Sequence, residues 1–273
     1  MYVTLDDFRQ SFVVAKNEVK KFIRGKKFTM YVALVSLVFI LITALPYLVG
    51  STLGETAGEV VSKYVSFISL LVILAATLFA SVVIVSEFEE RTALILFTRP
   101  IKRTSIFVGK VIGCIVLETT MLVAFYAAMA IAMFVIGGGV SVELLTSLGL
   151  TILFVFATSS IAVLISSVMK RGSTCAILTF VLLLLILPII TGVFGGANME
   201  TWFMLDEAAN SISTCIPEYV DRMNEMLAQL GERFDMDLGT IDPPDLVKSA
   251  GTMLGWGIVS LFLAWIAFIR REF

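Results

Sequence analysis

The chain has no histidine, which removes histidine-ligated zinc, Ser-His-Asp chemistry and imidazole proton relays together. Cysteine is scarce. Cys114 and Cys175 fall in or beside apolar segments and Cys215 in a polar stretch, a scatter that makes neither a disulfide framework nor a metal pattern. Charged residues are only 15% of the total. There is no Gly-x-x-x-x-Gly-Lys-Ser/Thr phosphate loop, because Gly25-Lys26 and Gly109-Lys110 lack both the spacing and the hydroxyl. A Gly-x-Ser-x-Gly elbow and an Asp-rich metal motif are also missing, which argues against an intramembrane enzyme.

What the sequence has in abundance is apolar residues: 58% of the chain, with a mean hydropathy of +0.97. A soluble domain of 273 residues could not cover such a composition with polar surface, so lipid must solvate much of it. The single compositional regime points to one integral-membrane domain over 1–273. No signal peptide is expected, since the first apolar run follows a charged stretch, 1–27, with no small-residue cleavage pattern. Six apolar segments, at 28–49, 65–85, 105–136, 144–168, 173–195 and 248–269, reach the roughly 20 residues a bilayer core requires. The expected fold is therefore an all-α protein with six transmembrane helices. Pro46 and Pro188 fall late in their segments, where a kink is tolerable. The third segment is long and is expected either to begin in the cytoplasm or to end in a break near Gly137-Gly138-Gly139.

The net charge of −2 hides a strong segregation. Six spans place both termini on one side. That side holds sixteen of the 20 cations: Arg9 to Lys27, then Arg91, Arg99, Lys102, Arg103 and Lys110, then Lys170, Arg171, Arg270 and Arg271. The other side holds Lys63, Arg222, Arg233 and Lys248. By the positive-inside rule the chain is a multi-pass protein of the cell membrane with both termini cytoplasmic.

The N-terminus reads as an interfacial helix. Leu5, Phe8, Phe12, Ala15, Val19 and Phe22 recur at three- and four-residue steps, Thr4 with Asp7 resembles a capping box, and Lys16, Lys20 and Lys21 supply a cationic face. Phe8, Phe12, Lys16, Lys20 and Lys21 are the expected contacts with the bilayer interface. On the other side, the acidic loop at 196–247 carries Pro217 where a helix would begin. A stripe at helical spacing follows, through Val220, Met223, Leu227, Leu230 and Phe234. Two short amphipathic helices capping the outer mouth are expected there. Trp202 and Phe203 would sit at the interface, and Asp242-Pro-Pro-Asp245 would break into the last span.

The most informative segment lies between the second and third apolar runs, Ser86 to Lys110. Ser86 and Glu89 fit a capping box, Glu87, Glu89 and Glu90 sit early, and Arg99-Pro100 ends the helix before Lys102 and Arg103. Glu89-Glu90, Thr92, Leu94 to Phe97, Arg99-Pro100, Arg103 and Gly109-Lys110 follow one another in an order and spacing that resembles the permease subunits of ABC-2 type transporters. Arg91 and Ala93 depart from the usual Gly and Leu of that signature. The resemblance also takes in the N-terminal elbow helix, the six spans and the large last outer loop.

This resemblance implies a cytoplasmic coupling helix over 86–104 that docks on a separate ABC ATPase. Glu87, Glu89, Glu90, Arg91, Thr92, Arg99, Pro100 and Arg103 would then make or shape the contact. It implies further that the ATP and magnesium belong to that ATPase, with no cofactor in this chain. A second permease copy or a paralogue would complete twelve spans, and transport would be export. No nucleic-acid partner is expected. Charge reversal at Glu89 and Glu90 would uncouple ATP hydrolysis from transport.

Glu118 is the one ionisable residue deep inside an expected span, beside Thr119 and Thr120. It either lines the translocation path or bonds across to another helix, and the sequence leaves both open. Ser159, Ser160, Ser166 and Ser167 either line a path or bond their own helix's carbonyls. Gly109-x-x-x-Gly113, Gly192-x-x-x-Gly196 and Gly251-x-x-x-Gly255 are expected to let helices approach closely within the subunit. Two other functional classes compete with the ATP-driven permease. An ion-coupled transporter or channel would need more intramembrane charge or inverted repeats than the sequence shows. A non-transporting membrane anchor or mechanotransmitter of an ATPase is not excluded. The substrate is not legible.

Overall fold

The computed structural model describes residues 5–50, 53–54, 56–89, 102–197, 199–235 and 239–271, and among them every regular element is helical. A leading helix, Leu5–Ile23, precedes six helices long and apolar enough to cross a membrane. These are span one, Lys26–Leu48; span two, Ala57–Glu89; span three, Arg103–Gly137; span four, Glu143–Val168; span five, Gly172–Gly196; and span six, Leu246–Arg270. Five of them match the expected boundaries to within two residues at each end.

Span two differs, beginning at Ala57 rather than near residue 65. Thr56 caps it by accepting the amide of Glu59 at 3.3 Å, so the helix starts in a polar stretch that carries no hydropathy signal. Span two is also not continuous. It runs as Ala57–Val65, Ile68–Leu78, a short 3-10 turn Ala80–Val82, and Val85–Glu89. Hydroxyls account for both interruptions. Ser66 donates to the Ser62 carbonyl at 3.1 Å, Thr77 to Ile73 at 2.7 Å and Ser81 to Thr77 at 2.5 Å. Side chains that take carbonyls one turn back bend a helix. In span five, a π-turn at Leu182–Ile186 precedes Pro188, whose missing amide hydrogen disturbs the ladder there.

Two apolar clusters fill the bundle. One, toward the end that carries the acidic loop, gathers Val61, Tyr64, Leu71, Phe125, Met129, Phe154 and Ile212. The other, toward the end that carries both termini, gathers Phe22, Tyr31, Phe79, Val83, Phe107, Leu117 and Ala162. These ends are called the acidic and basic ends below. Span one is peripheral. Its one buried residue is Tyr31, whose hydroxyl donates to the Leu71 carbonyl at 3.1 Å and whose ring meets Phe79 edge-on. Span three ends at Gly138 with a left-handed φ of 70°. Just before it, Gly137 lies so near Ala57 that a Cβ would come within 2.6 Å of backbone.

The leading helix packs differently from the expected apolar stripe. Ala15 and Phe22 are buried, but Phe8 and Phe12 are 69% and 70% exposed, and the buried face is completed by Asp7, Ser11 and Glu18. The cause is its partner. Span three presents Gly109 and Gly113 here, where a Cβ would lie 2.5 Å from the Ser11 carbonyl and 2.8 Å from that of Ala15. Close approach demands small residues opposite glycines, and the lysines of span three attract the acids. Thr4, read as a cap, lies outside the described residues.

The acidic loop folds back over the bundle as Leu205–Thr214 and Pro217–Phe234, with Pro217 in the first turn as expected. Ser147 donates to the Ile212 carbonyl at 2.7 Å and bonds the Tyr126 hydroxyl at 2.8 Å, which fixes the first loop helix to spans three and four. Thr252 and Trp256 of span six donate to the carbonyls of Trp202 and Phe203 at 3.1 and 2.9 Å. The second loop helix grips span two, since Arg222 donates to the Ser62 carbonyl at 2.9 Å and to Ser66 at 3.3 Å. Its stripe is only partly covered: Val220 is buried and Phe234 is exposed. The side-chain amide of Asn224 pairs with both backbone groups of Ile241. Asp245 caps span six by accepting the Lys248 amide at 3.3 Å.

Candidate functional site at the basic end

Three successive residues at the end of span two each reach a different element. Glu87 accepts from Lys110 of span three at 2.8 Å and from Lys21 of the leading helix at 3.5 Å. The Phe88 ring lies under the Arg271 guanidinium, 3.9 Å from its centroid. Glu89 accepts the Gly172 amide at 3.0 Å and so caps the start of span five.

Lys110 is the centre of this cluster. Its residue is 3% exposed, and its ammonium donates to Glu18 at 3.0 Å, to Glu87 at 2.8 Å and to the Val83 carbonyl at 3.3 Å. A buried ammonium with two carboxylates and a carbonyl has its three donors used, the condition under which such a charge is tolerated away from water. A second pair, Lys102 with Asp7 at 2.7 Å, joins the leading helix to the start of span three.

Arg271 closes the other side. Its Nη1 donates to the carbonyls of Ser166 and Ser167 at 3.3 and 3.1 Å, and its Nη2 donates to that of Met169 at 2.7 Å. These carbonyls lie at the C-terminus of span four, where a cation also favours the helix dipole. The final turn of span two is thereby bound, directly or through one side chain, to the leading helix and to spans three to six.

This architecture, six spans with a leading helix and an acidic loop folded over the far end, agrees with a family match. The model of the family described as ABC-2 family transporter protein matches residues 12–273. The chain belongs to the ABC-2 transporter family. No curated protein matches it. The permease is the membrane-embedded transport subunit of an ABC transporter and a multi-pass membrane protein.

The sequence-derived site residues of the permease separate into three groups. Glu90, Arg91, Thr92, Arg99 and Pro100 lie outside the described residues. Arg103 is exposed and opens span three. Glu87 and Glu89 are engaged inside the subunit as above. The Ser86–Glu89 capping box does not form, because Ser86 lies inside the helix Val85–Glu89 and Glu89 caps span five instead. Lys16 and Lys20 are exposed along the same row of the leading helix as Phe8 and Phe12, whereas Lys21 turns toward Glu87.

Glu118 is fully enclosed. Its carboxylate accepts from Ser159 of span four at 2.5 Å and from the Cys114 thiol one turn back at 3.1 Å. It makes an interhelical bond and faces no open cavity of this subunit. Ser160 and Ser167 bond carbonyls of their own helix, but Ser166 accepts the amides of Ile84 and Val85 at 3.2 and 3.0 Å.

Of the small-residue motifs, Gly109 with Gly113 seats the leading helix, while Gly192, Gly196, Gly251 and Gly255 have no neighbour that a Cβ would meet within 4 Å. The expectation of close packing within the subunit therefore fails for those two motifs. Glu18 was not singled out by sequence reasoning, Asp7 was read only as part of a cap with Thr4, and Arg271 only as one of the cations on the side of the termini. Two acids in a lysine-rich helix were a visible signal, but their partners are about 90 residues away along the chain.

At the acidic end a cavity of about 680 Å³ opens between the loop helices and residues 240–245, lined by Glu207, Asn210, Tyr219, Asp242 and Lys248 among others. Burial, with Glu207 beside it, holds the Asp206 carboxyl above the ordinary carboxylate range. Burial also pushes the Cys215 thiol up to about 11.

Proposed function

We propose that the permease is half of an ATP-driven exporter whose separate ABC ATPase docks over residues 86–104 at the basic end. ATP and magnesium bind that ATPase, and this chain supplies no cofactor. The observation that carries the reading is the attachment of Glu87, Phe88 and Glu89 to Lys110, Arg271 and Gly172. A force applied to the segment that follows Glu89 reaches the leading helix and spans three to six at once. Both sides of that segment are anchored by ion pairs, Lys102 to Asp7 on one side and Lys110 to Glu87 on the other.

The sixteen cations that the sequence assigns to the side of the termini support a cytoplasmic placement of both termini in the cell membrane. Six spans are half of the twelve that such transporters use, so the permease pairs with a second copy or a paralogue. Export is the direction implied by resemblance, with the folded acidic loop over the exit.

The test is purification of the tagged permease in mild detergent, followed by identification of co-purifying proteins and assay of ATP hydrolysis. An ABC ATPase is expected in the preparation. Reversing the charge of Glu90 and Arg103 together should release it while leaving insertion unchanged. Glu89 should be left intact, since its reversal would also uncap span five. A preparation with no ATPase, or an ATPase retained by the double variant at wild-type affinity, would refute the docking assignment.

A further inference from the structure

We propose that the interruption of span two at 79–85, just to the basic-end side of the boundary between the two apolar clusters, is a joint in the bundle, with Lys110 and Ser166 as its positioning residues. It deepens the coupling reading above, because the joint is what would convert movement of the 86–104 segment into movement of the acidic-end loop.

Between Phe79 and Val85 the i to i−4 ladder fails, and the remaining local bonds are three-residue turns such as Val83 to Ala80 and Glu87 to Ile84. Freed backbone groups in a membrane interior must find partners. Here they find them on other spans. The Val83 carbonyl goes to Lys110, and the Ile84 and Val85 amides to Ser166. An uninterrupted helix would have satisfied these groups itself, so two side chains, one from span three and one from span four, are committed to holding a break open.

The second observation is independent. The two apolar clusters divide close by. In span two one cluster ends at Ile73 and the other begins at Ala75, about one turn before the interruption, whose residues Phe79, Ala80 and Val82 to Val85 belong to the basic-end cluster. In span three they divide between Leu117 and Leu122, on either side of Glu118. In span four they divide between Ile161 and Ala162, next to Ser159. Span two crosses this boundary and is interrupted on its basic-end side. Each side holds its own end of span two. Toward the basic end, Glu87 to Glu89 are bound as described. Toward the acidic end, Arg222 of the second loop helix binds Ser62 and Ser66, and the Glu218 carboxylate lies against Gly58, where a Cβ would be 1.9 Å away. Span two is the connecting rod, and it is jointed about one turn to the basic-end side of the boundary.

The joint is tested by amide hydrogen exchange of the permease in lipid nanodiscs. Ser166→Ala should raise exchange over 79–89 about tenfold without changing 68–75, and Ser166→Thr, which keeps the hydroxyl, should match wild type. Lys110→Met should act as Ser166→Ala does. In the complex with its co-purified ATPase, trapping with magnesium ATP and orthovanadate should alter exchange at 79–89 and at 217–234 in wild type. In Ser166→Ala it should alter only the former. Unchanged exchange at 79–89 in both variants would overturn the joint. So would a uniform rise over the whole bundle, or a vanadate response at 217–234 that survives in Ser166→Ala. If no ATPase co-purifies, the coupling reading fails, while the exchange comparison still decides whether the joint exists.

Discussion

Glu89 accepts the Gly172 amide at 3.0 Å, so the last described residue before the 90–101 segment caps the first turn of span five. The same carboxylate lies 3.0 Å from where a Cβ on Gly172 would stand, so the two chains meet without a side chain between them. An acid that sequence reading assigns to a partner protein is in use within the permease.

Glu89→Gln keeps an acceptor and should hold span five nearly as well as wild type. Glu89→Ala should cost about 1 kcal/mol, the typical loss of a helix cap. Exchange protection of residues 172–176 in the detergent-solubilised permease separates the two, and equal protection in both variants would show that the cap carries no weight.

Gly109→Ala should loosen the leading helix. The added carbon would meet the Ser11 carbonyl at 2.5 Å, and backbone has little room to yield, so a loss of about 1–3 kcal/mol is expected. Limited proteolysis within Leu5–Ile23 should accelerate. Gly255→Ala is the control, since nothing lies within 4 Å of its position, and it should leave the cleavage rate unchanged.

Arg271→Lys should behave like Arg271→Ala. The guanidinium serves the carbonyls of Ser166, Ser167 and Met169 while stacking on Phe88, and a point ammonium cannot keep that planar geometry. Both variants should lower the thermal midpoint of the solubilised permease by a similar amount. Full recovery by lysine would show that charge alone matters.

Cys215 should react slowly with maleimide at neutral pH. Burial raises its thiol to about 11, so little thiolate exists near pH 7 and the rate should climb tenfold per pH unit up to that value. Labelling with Cys114 and Cys175 replaced by serine isolates the site. A rate that levels off near pH 9 would contradict the buried placement.

Arg222→Ala should detach the second loop helix from span two. Two bonds to Ser62 and Ser66 are lost, and exchange over Pro217–Phe234 should rise about tenfold while Leu205–Thr214, held by Ser147, stays protected. Equal loosening of both loop helices would mean that the loop opens as one unit.

The amino-acid sequence by itself determined the class. Long apolar runs can only be buried in lipid, their number and ends follow from hydropathy, and the cation asymmetry sorts the loops. Those signals are local, so they place five spans to within two residues and put the second loop helix at Pro217. The tertiary structure decided everything that depends on who meets whom. Span two's early start rests on a threonine cap, and the groups freed by its interruption rest on Lys110 and Ser166 of other spans. Phe8 and Phe12 share the helical spacing of Ala15 and Phe22 yet point outward, because glycines at 109 and 113 draw the polar face inward. Glu87, Glu89 and Glu118 have the same carboxylate chemistry in the sequence. Only the fold makes the first an ion-pair partner, the second a helix cap and the third a buried bridge, since that choice is set by distances between residues far apart along the chain.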